Sequence, residues 1–300
     1  MKSDYMTTIQ ATCKGEVAAG VLATDQDVSV LGSTSRGIFL ETSSRWLVFL
    51  SYEGFRSPLT VTLAETPFSL AEIKPKLDGK IASGMLEFHD INLRIATKSS
   101  QVWQTALPTA TALPKSERLV KLTQCAEIVQ REKPGVGLSP LLAELFELPE
   151  VPHSNRRTGL PPHFDVSAIQ RGITNQEPDQ FMRAVPSFLG AGSGLTPSGD
   201  DFLTGLLLAL NRWEAVLWPS DNLRETNHLV VESAYRKTTR LSVNLIELAT
   251  LGQGDERLIG MVDQLMSNTP IEPGTVLDLL GWGSSSGVDA FLGMAVALTA

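Results

Sequence analysis

Two stretches of this sequence repeat each other: Gly194-Leu-Thr-Pro-Ser-Gly-Asp-Asp-Phe-Leu-Thr-Gly205 near the middle and Trp282-Gly-Ser-Ser-Ser-Gly-Val-Asp-Ala-Phe-Leu-Gly293 near the end. Setting Gly199 on Gly287 puts Thr196 on Ser284, Ser198 on Ser286, Asp201 on Asp289 and Gly205 on Gly293, an offset of 88 residues throughout. Each copy runs straight into an apolar segment, Leu206 to Leu210 in the first and Met294 to Leu298 in the second. That is the pattern of a loop feeding a buried helix.

The rest of the chain divides by periodicity. From about Gly15 to Thr105, short runs such as Ile38-Phe-Leu, Trp46 to Leu50, Leu59 to Leu63, Gly84 to Phe88 and Ile91 to Ile95 are separated by Gly, Pro, Ser and Asp. They read as an antiparallel β-sheet or small barrel. A helical register begins near Ser116, with Leu119, Leu122, Ala126 and Val129 on one face, and stops before Lys133-Pro-Gly-Val-Gly. The switch falls near residues 100 to 115, giving an α+β chain with a β-rich domain over 1–112 and a mainly α-helical domain over 113–300. Helices are expected at about 116–132, 164–183, 201–218, 223–250, 255–267 and 288–299, with a short one near 274–280. Residues 148–163, rich in proline and turn formers, read as an exposed loop or hinge. The two repeated loop-helix elements span 190–210 and 281–299.

Three hundred residues, 42% hydrophobic and 19% charged, suffice for a sizeable core. A formal charge of -8 leaves no general attraction for nucleic acid, and the longest strongly apolar run is too short to span a bilayer. Cys13 and Cys125, far apart and outside any C-x-x-C pair, fit a reducing cytoplasm.

A helix start offers unpaired N–H groups and the favourable end of its dipole, so small flexible residues ahead of it let an anion approach. Gly190-Ala-Gly192-Ser193-Gly194 supplies such a backbone, and Thr196 and Ser198 supply hydroxyl donors, with Gly199 opening the helix. Asp200 and Asp201 complicate an anion site: either can cap the helix, hold Mg²⁺ that bridges to phosphate, or accept a hydrogen bond from a substrate amide. Only Asp201 has a counterpart, Asp289; Asp200 faces Val288 across the repeat, which marks it for one-sided chemistry. Ser284, Ser286 and Asp289 supply the matching groups of the second loop. The competing reading is structural: Ser and Asp as ordinary N-caps, Gly205 and Gly293 as points of close helix packing.

Around 230–248 a polar cluster includes Arg236, Thr238, Thr239, Arg240 and Ser242; if the helix lines the cavity, Arg240 neutralises a phosphoryl or carboxylate group and Thr239 donates beside it. His89, His153, His163 and His228 have no zinc spacing. His153 and His163 flank Arg156-Arg157 in the proline-rich loop, which either closes over a small anion or is plain surface. Neither a Walker loop, a dinucleotide fingerprint nor a G-x-S-x-G elbow occurs.

The central block Gly194 to Gly205 resembles the DUF2877 family, which includes the AllH-like subunit associated with oxamate carbamoyltransferase; Arg36-Gly-Ile-Phe-Leu, Thr238-Thr-Arg-Leu-Ser242 and Gly281 to Asp289 are similar to further blocks of that family. The resemblance implies a cytoplasmic subunit in allantoin or purine breakdown, interconverting oxamate plus carbamoyl phosphate with oxalurate plus phosphate beside other transferase subunits. It brings no list of catalytic residues. The residues themselves assign Asp200 and Arg240 to catalysis and the two loops to a small anion, with Mg²⁺ optional. A noncatalytic anion-binding, regulatory or scaffold subunit is the alternative.

Overall fold

The computed structural model describes residues 6–149 and 164–300, so His153, Arg156, Arg157 and His163 lie outside it. The chain forms two compact units, Met1–Ala106 and Leu107–Ala300.

The first unit contains β1 (Thr7–Gly15), α1 (Glu16–Leu22), β2 (Gln26–Thr34), β3 (Gly37–Thr42), β4 (Val48–Ser51), β5 (Thr60–Leu63), β6 (Asp78–Ala82), β7 (Met85–Phe88), β8 (Leu93–Ala96) and β9 (Gln101–Trp103). Its strands run in the order β5-β4-β3-β2-β6-β7-β8-β1-β9, and a β1–β5 pairing closes the sheet into a barrel. Most pairings are antiparallel, while β1–β8, β1–β9 and β4–β5 are parallel. Alternation sends Ile38, Leu40, Leu50, Val61, Leu86 and Ile95 into a core of the unit's own. The seven-residue α1 interrupts the strand-like region, and β1 begins before it; the periodicity of the sequence announces neither. Arg36 lies in the wall of an open pocket of about 450 Å³ on this unit, 3.3 Å from the Glu53 carboxylate.

The second unit is helical: α2 (Lys115–Glu132), α3 (Ser139–Leu145), α4 (Val166–Asn175), α5 (Pro178–Phe188), α6 (Ser198–Arg212), α7 (Glu214–Leu217), α8 (Leu223–Lys237), α9 (Arg240–Ala249), α10 (Glu256–Met266), α11 (Pro273–Leu280) and α12 (Ser286–Thr299). At its centre lie α6 and α12, buried at every residue from 199 to 210 and from 287 to 298. The offset of 88 thus holds for burial as it does for sequence. Helices apolar around their whole circumference belong inside a core, and the other helices surround these two.

Three expected helices are broken. The helix over 164–183 divides at Gln176, which is left-handed (φ 55°), because Pro178 starts a new helix. The helix over 201–218 begins earlier, at Ser198, and divides at Trp213. The helix over 223–250 divides at Thr238, whose backbone is extended, and Thr239 caps α9 by accepting the Ser242 N–H. Arg236 and Arg240 therefore stand on different helices, and Arg236 bonds Glu232 within α8 instead. Helix α3 is an addition. Among the described residues no helix is long and apolar enough to cross a membrane.

Candidate functional site

The crossing of α6 and α12 sets the geometry. A Cβ on Gly205 would sit 1.9 Å from the Ala290 carbonyl oxygen, and one on Gly293 would sit 2.0 Å from the Phe202 carbonyl oxygen. Residues 202 and 290 are also 88 apart, so each glycine receives the other helix's backbone at the equivalent place. These reciprocal contacts relate the two elements by an approximate internal two-fold axis. Gly199 and Gly287 extend the relation, lying against the C-terminal ends of α5 and α11 respectively.

This axis brings both loops together. Thr196 Oγ1 lies 3.4 Å from Ser286 Oγ and donates to Asp201 Oδ2 at 3.1 Å. The hydroxyl of Ser286 faces Asp201 and that of Ser198 faces Asp289, a reciprocal exchange between the halves. Gly192, Ser193 and Gly194 form the exposed tip of the first loop and Ser284 is exposed in the second, whereas Thr196, Ser198 and Ser286 are half-buried.

Neither α6 nor α12 has a side-chain cap, so the serines and aspartates do not serve as N-caps; the close packing at the glycines is observed. The first-turn N–H groups are also largely taken. Gly199 donates to Ala191 O, and Asp200 and Asp201 donate to Pro197 O; Gly287 donates to Trp282 O, and Val288 and Asp289 to Ser285 O. Donors for an anion therefore come from the loop and its hydroxyls more than from the helix turn.

Asp200 is 1% exposed and fastens the loop from below. Its Oδ1 accepts the Gly190 N–H at 2.8 Å and its Oδ2 accepts the Thr238 hydroxyl. Burial raises its pKa, opposed by Thr238, Gly190 and Ser242. Thr239 completes the fastening by donating to Leu195 O at 2.7 Å, which commits the hydroxyl expected beside a ligand. Arg240, half-buried, opens α9 immediately after this clamp.

Asp201 and Asp289 are both fully buried. Burial holds Asp201 well above the usual carboxylate range, reinforced by the Asp289 and Asp200 charges and opposed by the Ser286 and Thr196 hydroxyls. Asp289 is pushed up to about 6 by burial, against the Leu138 N–H, Ser198 and Ser285. The Leu138 N–H, 2.6 Å from Asp289 Oδ1, belongs to the turn after α2, a stretch whose sequence signals only a helix end. Gly137 in that turn has φ 52°, and a Cβ there would meet Asp289 Oδ1 at 2.2 Å. Gly137→Ala is expected to destabilise the helical unit by about 2 kcal/mol through left-handed strain and this collision. Thermal melts check it: in an Asp289→Ala background the same substitution should cost measurably less.

Among the described residues no group of three or more His, Cys, Asp or Glu is placed to hold a metal. No solved structure matches the chain. The family model of oxamate carbamoyltransferase subunit AllH matches residues 188–298, about a third of the chain, running from the end of α5 to α12 and so taking in both loop-helix elements, the Thr238–Thr239 clamp and Arg240.

Proposed function

We propose that the helical unit binds a small anion carrying a carbamoyl or carboxamide group, as a subunit of an enzyme that interconverts oxamate plus carbamoyl phosphate with oxalurate plus phosphate. The observation that carries this reading is the convergence of both loops on one axis, within the segment that matches the oxamate carbamoyltransferase subunit. In this reading the Gly192–Gly194 backbone and the hydroxyls of Ser193, Thr196, Ser198, Ser284 and Ser286 surround the ligand's oxygens, and Arg240 supplies the countercharge. Asp200 positions the loop through Gly190 and Thr238, while Asp201 and Asp289 lie beneath it.

Carbamoyl transfer asks little covalent chemistry of a protein. The oxamate nitrogen adds to the carbamoyl carbon, the carbon–oxygen bond to phosphate breaks, and the nitrogen gives up a proton. Holding the two reactants together and stabilising the tetrahedral oxygen are the main contributions. Mg²⁺ would supply charge neutralisation at the phosphate, and among the described residues no carboxylate cluster is placed to hold it.

The second reading is a binding subunit whose chemistry another chain completes. It is favoured by the burial of Asp200, Asp201 and Asp289, which leaves the exposed loop without a carboxylate base of its own. Turnover by the purified chain alone separates the two readings. Isothermal titration with carbamoyl phosphate, phosphate, oxamate and oxalurate, with and without Mg²⁺, tests what they share. Saturable binding is expected, weakened roughly 10- to 100-fold by Arg240→Ala and less by Ser198→Ala, with melting temperatures preserved. Absence of binding under every condition, or binding indifferent to both substitutions, removes the site from this loop.

A further inference from the structure

One end of the β3–β4 hairpin in the barrel unit carries two opposite charges beside a pocket. Gly37 pairs with Ser51 there, and a Cβ on Gly37 would meet the Leu50 carbonyl oxygen at 2.0 Å, so the strands close tightly where Arg36 and Glu53 leave them. Ser51, 1% exposed, fixes the backbone of both: its hydroxyl donates to Arg36 O at 2.7 Å and accepts the Glu53 N–H at 3.0 Å. Arg36 Nε and Glu53 Oε1 meet at 3.3 Å, and both side chains stay about a third exposed.

Another wall of the pocket is the segment 66–71, tied at two points. The Tyr52 hydroxyl donates to Phe68 O at 2.9 Å, and Leu70 is buried in the barrel core. Thr66, Phe68, Leu70 and Tyr52 line the space of about 450 Å³ together with Arg36 and Glu53. Small-molecule sites span roughly 300–1,000 Å³ and combine an apolar lining with a few fixed polar groups, as here. An ion pair this exposed adds little to stability, and Ser51 already holds the hairpin end. Its larger consequence is for what enters. A bare anion drawn to Arg36 faces the Glu53 carboxylate, and a bare cation drawn to Glu53 faces the guanidinium, whereas a molecule carrying both charges meets a partner for each. The aromatic surfaces of Tyr52 and Phe68 favour an apolar remainder.

We propose that this pocket binds a small zwitterion, an α-amino acid with an apolar side chain, holding its carboxylate at Arg36, its ammonium at Glu53 and its side chain against Tyr52 and Phe68. The inference does not rest on the ligand proposed for the helical unit. Every group it uses lies between residues 35 and 71 of the barrel unit.

The test is isothermal titration of the full chain with L-leucine and L-phenylalanine, set beside 4-methylpentanoate, which is leucine without its ammonium, and 3-methylbutylamine, which is leucine without its carboxylate. Saturable binding of at least one amino acid is expected, roughly 10- to 100-fold tighter than either analogue of leucine. The two charges should separate by substitution. Glu53→Gln should weaken the amino acid and strengthen 4-methylpentanoate, since the repulsion is gone; Arg36→Gln should weaken the amino acid and strengthen 3-methylbutylamine. A purely structural ion pair would not exchange the preferences in this way. Should either variant fail to fold, Ala71→Trp, at an exposed position of the lining, fills the pocket without touching the pair and should abolish binding. Hydrogen exchange adds the location: the bound amino acid should slow the amides of residues 66–71 and leave 190–195 unchanged. The proposal is overturned if neither amino acid binds, if binding is indifferent to these substitutions, or if the protection appears at 190–195 instead.

Discussion

Gly205→Ala and Gly293→Ala each lower the melting temperature of the helical unit by roughly 6–12 °C, the equivalent of about 3 kcal/mol. In both cases the added methyl lands within 2.0 Å of a carbonyl oxygen on the opposing helix. Backbone cannot step aside as a flexible side chain can, so α6 and α12 must separate along a contact buried on every side. Two further outcomes follow from the axis. The single losses should be nearly equal, and the double variant should lose less than their sum, because the first methyl already opens the contact the second would meet. Gly260→Ala is the control: within α10 a Cβ at that position has nothing within 4 Å, and the change should stabilise by about 0.5–1 kcal/mol. Calorimetry on the four variants checks the set. If Gly205→Ala behaves like Gly260→Ala, the close crossing is wrong.

Asp200→Ala has the second largest expected effect, and its main readout is local. The substitution strips the Gly190 N–H and the Thr238 hydroxyl of their acceptor inside a region where Asp200 is 1% exposed. Leaving such donors unsatisfied costs on the order of 2–3 kcal/mol. Part of that cost is avoided if the 190–197 loop lifts off α6 and finds water. Hydrogen exchange at the amides of residues 190–195 should therefore accelerate by about 10- to 100-fold, with α10 unchanged. Asp200→Asn keeps an oxygen for Gly190 and should recover much of the protection. Ligand binding at the loop should fall along with the protection, not separately from it. A loop that stays protected in Asp200→Ala would mean that Thr239 and Leu195 hold it unaided.

The repeat makes much of this legible from the order of residues alone. Its constant offset announces two equivalent helices, and their later apolar runs announce burial, because nothing but a core accommodates Leu206 to Leu210. Aligning Asp201 with Asp289 already pairs the two buried carboxyls that each face a serine of the other element. Other parts depend on partners far away in sequence. The Leu138 N–H meets Asp289 across 151 residues, and no local pattern connects them; Gly135 and Gly137, both with positive φ, signal a tight turn but not what the turn holds. The break at Thr238 is hidden because apolar spacing continues across it from Val230 to Ile246, and the extended backbone there is secured by Asp200 and Leu195 from another element. Barrel closure is equally illegible in detail. Alternation identifies strands, whereas the choice of β5, β8 and β9 as partners of β1 is made by the geometry of closure.

The mutual burial of α6 and α12 has a consequence during synthesis. Helix α6 emerges 88 residues ahead of the one that covers it, and translation at ordinary rates leaves roughly 5–15 s between the two. For that interval its leucines have no native cover on the α12 side, and a second nascent chain of the same sequence presents an identical sticky surface. The order of α6 and α12 along the gene thus makes α12 the helix that ends the exposure of α6 to self-association, and slow translation or a lack of chaperones is felt first at α6.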